Sequence, residues 1–301
     1  MRSAQRPDAA GPSQTALTAA AARAAHLIVD QPPVIFADTL ALDLLGDQAA
    51  GLVAYHRAHG DHVVLSGARG QATCRSRYTE DSLAASIAVG GIAQYVILGA
   101  GLDSFAYRSP LAGQVAVFEV DHPATQDFKL GQLSAAGIPV PANVVFVPAD
   151  FENDLAGGSL AELLVRSGLD LTSPAFVSWL GVTMYLTRAA ISQTLAEISG
   201  FAPGTQLIAD YILPAVLRDD TGNAYAGLVA PAAAKRGEPW LTFLAPDDMS
   251  ALLEGHGFGP VEHVRQRDSI PAALWDRTDC LHPADLSLLA RATLGTSHHP
   301  G

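Results

Sequence analysis

Short runs of Val, Ile and Leu alternate with longer mixed segments from about residue 94 onward, whereas the ninety or so residues before them read as helices. The apolar runs predict strands at about 94–98, 115–120, 143–147, 174–180 and 205–211. Helices are predicted from 103, over 123–136 entered through Pro123, over 159–167 and over 187–200. Upstream, Gln14 to Val29 is Ala-rich, of high helix propensity, and stops before Gln31-Pro32-Pro33. Asp38 is placed to cap a short helix through Leu45 and Asp47 another through Ala58; Val63 to Val89 reads as one long helix, or two with a break near Gly67 to Gly70. Downstream, Pro214 to Trp240 reads as loop and short helix, Asp247 to Gly255 as a helix, Val261 to Arg265 as a strand, and the segment through Leu294 as helical.

Strand alternating with helix implies an α/β protein. Its mainly parallel sheet would be covered on both faces, joined by right-handed crossovers and open to ligands at the C-terminal strand ends. The expected organisation is a helical cap over 1–90 and a sheet core over 91–301, with a substrate-side insertion at 214–245.

With 49% apolar and 16% charged residues, the chain can bury a sizeable core. Eighteen basic against 30 acidic residues give a net charge of −12, which argues against a nucleic-acid partner, whose footprint would be clustered Lys and Arg. Cys74 and Cys280 are too few for a disulfide framework or zinc knuckle. No apolar run approaches the ~20 residues of a membrane span, and the expectation is a cytoplasmic protein without membrane association.

The strongest chemical signal is Tyr95-Val-Ile-Leu-Gly99-Ala100-Gly101-Leu-Asp103, followed by Phe118-Glu-Val-Asp121. Two glycines after a buried strand let backbone N–H groups approach a ligand, and a carboxylate 20 residues beyond Gly101 suits both hydroxyls of a ribose. The third glycine of the dinucleotide fingerprint is replaced by Ser104, and the turn alone is compatible with an NAD-dependent oxidoreductase. Asp103 beside the helix start would repel a pyrophosphate and better suits a cofactor with a cationic amino group, as in S-adenosyl-L-methionine. Asp103 could instead pair with Arg108.

Further motifs extend the signal: Arg75-Ser-Arg77-Tyr78, Ala106-Tyr-Arg108, Asp121-His122-Pro123, Val147-Pro-Ala-Asp150-Phe151 and Gly181-Val-Thr-Met184-Tyr185-Leu-Thr. In this order, from about Thr15 to Phe258, they resemble the leucine carboxyl methyltransferase-like branch of class I S-adenosylmethionine-dependent methyltransferases. That branch includes polyketide and other secondary-metabolite O-methyltransferases. The resemblance implies a Rossmann-like fold with an N-terminal helical lid, and S-adenosyl-L-methionine as cofactor. It further implies that Arg77, with Arg75 close behind, pairs with the cofactor's methionine carboxylate. Gly99, Ala100, Gly101 and Asp103 would lie at the methionine part, Asp121 and His122 at the ribose, and Asp150 and Phe151 at the adenine. Leu180 stands beside the cofactor where protein-phosphatase-type members carry Glu, which argues against a phosphatase C-terminus as substrate.

The expected reaction is methylation of a carboxylate, or a hydroxyl, of a polyketide-like or peptide-like metabolite by in-line displacement. Positioning would do most of the catalysis, and a carboxylate acceptor would need no general base. Tyr185 and Tyr211, after the fourth and fifth strands, are candidate positioning hydroxyls, though backbone-bonded buried tyrosines explain them equally. Tyr55, His56, Met184, Tyr211, Trp240 and Phe243 are candidate walls of an apolar acceptor pocket, with ordinary core packing the alternative for the last two. His56, His59 and His62 spread round a helix interrupted by Gly60, and no metal site is expected. A non-catalytic cofactor-binding regulator remains a further alternative.

Overall fold

A computed structural model describes residues 12–150 and 159–295. Strands β1 (Gln94–Leu98), β2 (Ala116–Asp121), β3 (Val144–Pro148), β4 (Phe176–Trp179), β5 (Gln206–Ile212), β6 (Glu262–Arg265) and β7 (Ser287–Thr293) form one sheet in the order β3-β2-β1-β4-β5-β7-β6. The pairs from β3 through β5 are parallel; β7 runs antiparallel to both of its neighbours. The strands expected from the apolar runs lie within one or two residues of those observed. Strand order reverses between β1 and β4, the crevice where open α/β sheets bind ligands.

Alternation of side chains along β1 divides two cores. Val96 and Leu98 face α7 (Leu160–Arg166), α8 (Arg188–Ile198) and α10 (Pro246–Gly255). Tyr95 and Ile97 face α4 (Val63–Val89) and α5 (Phe105–Arg108). A third cluster joins α1 (Gln14–Val29), α2 (Ala41–Leu45) and α3 (Ala49–His59) to α6 (Pro123–Ala135) through Leu17, Leu44, Leu45, Val53 and Leu133. Buried ionic groups hold these layers. Lys129 Nζ donates to Glu119 Oε2 at 2.6 Å beneath α6. Arg69 donates to both oxygens of Asp30 at 2.8 Å, to the Gly60 carbonyl and to His56, fastening α4 to the end of α1 and to α3. Among the described residues no helix is long and apolar enough to cross a membrane.

Several expectations are corrected. The segment before Leu294 is β7 rather than helix: Leu, Ala and Arg favour helix locally, but the slot between β5 and β6 buries Ser287 to Ala290, and the ladder from Ile212–Ser287 to Gln206–Thr293 outweighs propensity. The insertion contains a full helix, α9 (Asp220–Lys235), capped by Asp219, whose Oδ1 accepts from Gly222 N–H at 2.7 Å. Helix α4 is continuous; Gly67 and Gly70 are where Tyr225 and Gln266 pack onto it. Asp38 accepts from Leu40 N–H at 3.3 Å, but its closer partners are Arg23 Nε at 2.7 Å and Ser104 Oγ at 2.6 Å.

Candidate active site

The chain leaves β1 through Gly99-Ala100-Gly101, and the N–H groups of Gly99 and Ala100 both donate to the Val120 carbonyl, at 2.8 and 3.0 Å. Gly99 has φ +68°, and a β-carbon there would stand 2.3 Å from Val182 Cγ2, so the turn admits no side chain. Gly101 N–H donates to Asp121 Oδ2 at 2.5 Å and His122 N–H to Oδ1 at 2.6 Å. The Asp121 carboxylate is therefore fixed across the crevice with acceptor capacity left on each oxygen. Burial raises its pKa, against the pull of the two backbone N–H groups. The His122 side chain is exposed and caps α6, Nδ1 accepting from Ala124 N–H at 3.2 Å.

Across the switch point, Arg75 reaches from α4 to the tip of β4. Its Nη1 donates to Asp210 Oδ2 at 2.8 Å, while Asp210 Oδ1 accepts from Gly181 N–H at 2.6 Å. A β-carbon at Gly181 would meet Arg75 Nη2 at 2.6 Å. Arg77 lies about 200° further round the same helix; it pairs with Asp81 at 2.6 Å and donates to the Ile35 carbonyl. The strand-tip position expected for Arg77 thus belongs to Arg75. Asp103 Oδ1 accepts from Phe105 N–H at 2.8 Å, and the alternative Asp103–Arg108 pair is not formed. Arg108 instead pairs with Glu80, whose carboxyl burial pushes up to about 7 although Arg108 opposes the shift.

Ala149 N–H donates to the Asp121 carbonyl at 2.9 Å, bringing Asp150 alongside Asp121; Phe151 lies outside the described residues. Leu180 is half-buried against the core shared by α4 and α5.

Beyond the strand tips the start of α1 covers the turn, with Ala16 Cβ 3.1 Å from where a side chain at Gly101 would begin. The neighbouring Thr15 hydroxyl donates to Glu238 Oε2 at 2.5 Å and lies 3.3 Å from the Tyr185 hydroxyl; Ser13 Oγ donates to Glu238 Oε1 at 2.9 Å. Burial raises the Tyr185 pKa. Met184 is buried in the cluster against which Tyr185, Tyr225 and Trp240 pack, and Trp240 leads outward to Phe243, 6.4 Å away between ring centroids. Phe243 is 41% exposed beneath the Arg218 guanidinium. Ser13, Thr15 and Glu238 were not foreseen: each is an isolated polar residue in the sequence, and only the fold joins them.

Three wall candidates lie elsewhere. Tyr211 points to the face of β5 opposite Asp210, and its hydroxyl bonds His263 Nδ1 at 2.8 Å, with His263 Nε2 bonded in turn to Ser250. Tyr55 is 65% exposed, edge-on to His59. His56 is buried against Arg69, and burial together with that cation lowers its pKa to about 4.

The donor set fits S-adenosyl-L-methionine: a guanidinium for the amino-acid carboxylate and a fixed carboxylate for the ribose diol.

The sequence matches the family model of leucine carboxyl methyltransferase over residues 16–199. YktD of Bacillus subtilis (strain 168), named as a candidate S-adenosyl-L-methionine-dependent methyltransferase, is 36% identical over 197 residues, 64% of this chain and 62% of that protein. A Mycobacterium marinum (strain ATCC BAA-535 / M) protein of the same description is 31% identical over 263 residues, 84% of this chain and 80% of that protein. The chain therefore spans just under two thirds of the length of YktD. A solved DUF574 family protein from Streptomyces avermitilis MA-4680 shares the fold, with TM-score 0.57 at 16% identity, over 91% of this chain and 97% of that one.

Proposed function

The chain belongs to the leucine carboxyl methyltransferase family of S-adenosyl-L-methionine-dependent methyltransferases, and from that premise we propose that it methylates an oxygen of a small, largely apolar metabolite, polyketide-like or peptide-like. The observation that carries this reading is the pairing of Asp121 and Arg75 on opposite sides of the Gly99 turn at the β1–β4 switch point.

Asp121 takes the ribose hydroxyls. Arg75, which has five N–H donors and spends one on Asp210, would hold the amino-acid carboxylate with those that remain. Asp150 with Phe151 receives the adenine, and Asp103 stands at the methionine end. When bound, the cofactor supplies a methyl group already activated on a sulfonium. The protein therefore has to position the acceptor oxygen and exclude water. Met184, Tyr185 and Trp240 supply the acceptor wall, and the start of α1 closes it from above. Leu180 offers no carboxylate at the tip of β4, which favours a small-molecule acceptor over a phosphatase C-terminus.

Incubation with methyl-labelled S-adenosyl-L-methionine and a metabolite extract tests the reading. Label is expected in an extractable small product, with unlabelled S-adenosylhomocysteine formed in equal amount; persistent absence of transfer with cofactor binding intact would favour a regulator.

A further inference from the structure

We propose that Asp38 is a positioning residue for the cofactor: with Arg23 it clamps Leu102 and Ser104, so that the Asp103 carboxylate between them faces the cofactor's ammonium group. The inference rests on the methyltransferase reading above and explains Ser104, which stands where the dinucleotide fingerprint has its third glycine. Ser104 precedes α5 at the capping position, yet its hydroxyl makes no cap bond. It donates instead to Asp38 Oδ1 at 2.6 Å. Asp38 Oδ2 accepts from Arg23 Nε at 2.7 Å, and Arg23 Nη2 donates to the Leu102 carbonyl at 2.7 Å. These contacts close a ring through Leu102-Asp103-Ser104, in which α1 and the segment leading to α2 grip both residues that flank Asp103.

Arg23, Asp38, Leu102 and Ser104 are all buried, so the ring is shielded from water and its hydrogen bonds are costly to break. Burial opposes the charge on Asp38, but Arg23 and Arg108 outweigh it and lower the Asp38 pKa. Arg108 Nε lies 3.5 Å from Asp38 Oδ1 and donates to Ser104 Oγ at 2.8 Å, bracing the turn from the α5 side. Asp103 is the half-buried member. Its Oδ1 accepts from Phe105 N–H at 2.8 Å, and its Oδ2 receives no hydrogen bond among the described residues. A rigid turn that leaves one carboxylate oxygen without a donor suits a cation at the methionine end of the crevice, and the cofactor's primary ammonium is such a cation.

Calorimetry with two nucleosides tests this: S-adenosylhomocysteine, which carries the ammonium, and methylthioadenosine, which keeps the adenosine and sulfur but has no amino-acid end. Asp38→Asn preserves the side-chain shape and removes the charge that holds Arg23. It is expected to weaken S-adenosylhomocysteine about tenfold and to leave methylthioadenosine within about twofold, because a misaimed group loses only the contact it makes. In an Asp103→Asn background the same change should weaken S-adenosylhomocysteine no further, since both substitutions act on one contact. A merely structural role would weaken both nucleosides and add to Asp103→Asn. Equal weakening of the two nucleosides by D38N, full additivity with D103N, or unchanged S-adenosylhomocysteine affinity in either single variant overturns the proposal. Should D38N fail to fold, Ser104→Ala carries the same expectations, since it frees one end of the turn and leaves Asp38 paired with Arg23. Absence of S-adenosylhomocysteine binding by the wild type would instead sink the methyltransferase reading, so the two failures are distinguishable.

Discussion

Arg75 and Arg77 sit two residues apart on one helix, and exchanging each separately for Gln distinguishes a cofactor clamp from a surface charge. A charge-assisted hydrogen bond contributes about 1.5–3 kcal/mol, so losing the clamp should weaken S-adenosylhomocysteine roughly 10- to 150-fold. The lower half of that range is expected, because Arg75 already bonds Asp210 at 2.8 Å and part of that contact must rearrange on binding. Arg75→Gln also leaves Asp210, 4% exposed in its side chain, with Gly181 N–H but no counter-ion. Stability should fall by about 1–3 kcal/mol, the cost of an under-satisfied buried group. Arg77 and Asp81 form an exposed i,i+4 pair, 35% and 56% accessible; Arg77→Gln should cost about 0.3–0.5 kcal/mol or less and leave affinity within about twofold. Urea denaturation and calorimetry on the two variants give both quantities. Weakening by Arg77→Gln equal to that by Arg75→Gln, or unchanged affinity in Arg75→Gln, would refute the assignment.

Gly99→Ala combines a left-handed backbone, about 1–2 kcal/mol, with a clash against Val182 of about 1–3 kcal/mol; a lowered thermal midpoint and loss of S-adenosylhomocysteine binding are expected. Lys129→Met strands Glu119 and should cost about 3–5 kcal/mol at neutral pH in denaturant titrations. Burial raises the Glu119 pKa above 4.5, so that loss should shrink as the pH falls and the folded state takes up the proton. His56, held down to about 4 by burial and Arg69, stays neutral in the folded protein while the unfolded chain gains a proton near 6.5. Stability should therefore decline as pH falls from 6.5 toward 4, and His56→Gln should flatten that slope in a pH series of melting curves.

The parallel half of the sheet was legible because β1, β2 and β4 are apolar runs bounded by Gly, Pro or Asp, a local signal that survives folding. β7 was not, since Ser287 to Thr293 has helical propensity and becomes a strand only in the slot between β5 and β6. At the site, the Gly99 turn and Asp121 were readable because backbone geometry and strand ends write themselves into short motifs. The choice between Arg75 and Arg77 depended on helix phase near the sheet, which the motif does not carry. Tyr211 failed for a related reason: a shift of one residue along β5 sends Asp210 into the site and Tyr211 away from it. The contacts of Glu238 with Ser13 and Thr15 span more than 220 residues and left no local trace.

The central claim is that the β1–β4 crevice holds S-adenosyl-L-methionine through Asp121 and Arg75. Calorimetric titration of the wild type and Asp121→Ala with S-adenosylhomocysteine, and in parallel with NAD, tests it most directly. The account predicts saturable one-to-one binding of S-adenosylhomocysteine by wild type, weakened by about 1–3 kcal/mol in the variant, and no comparable NAD binding. Tight NAD binding without S-adenosylhomocysteine binding, or wild-type affinity in Asp121→Ala, would contradict it.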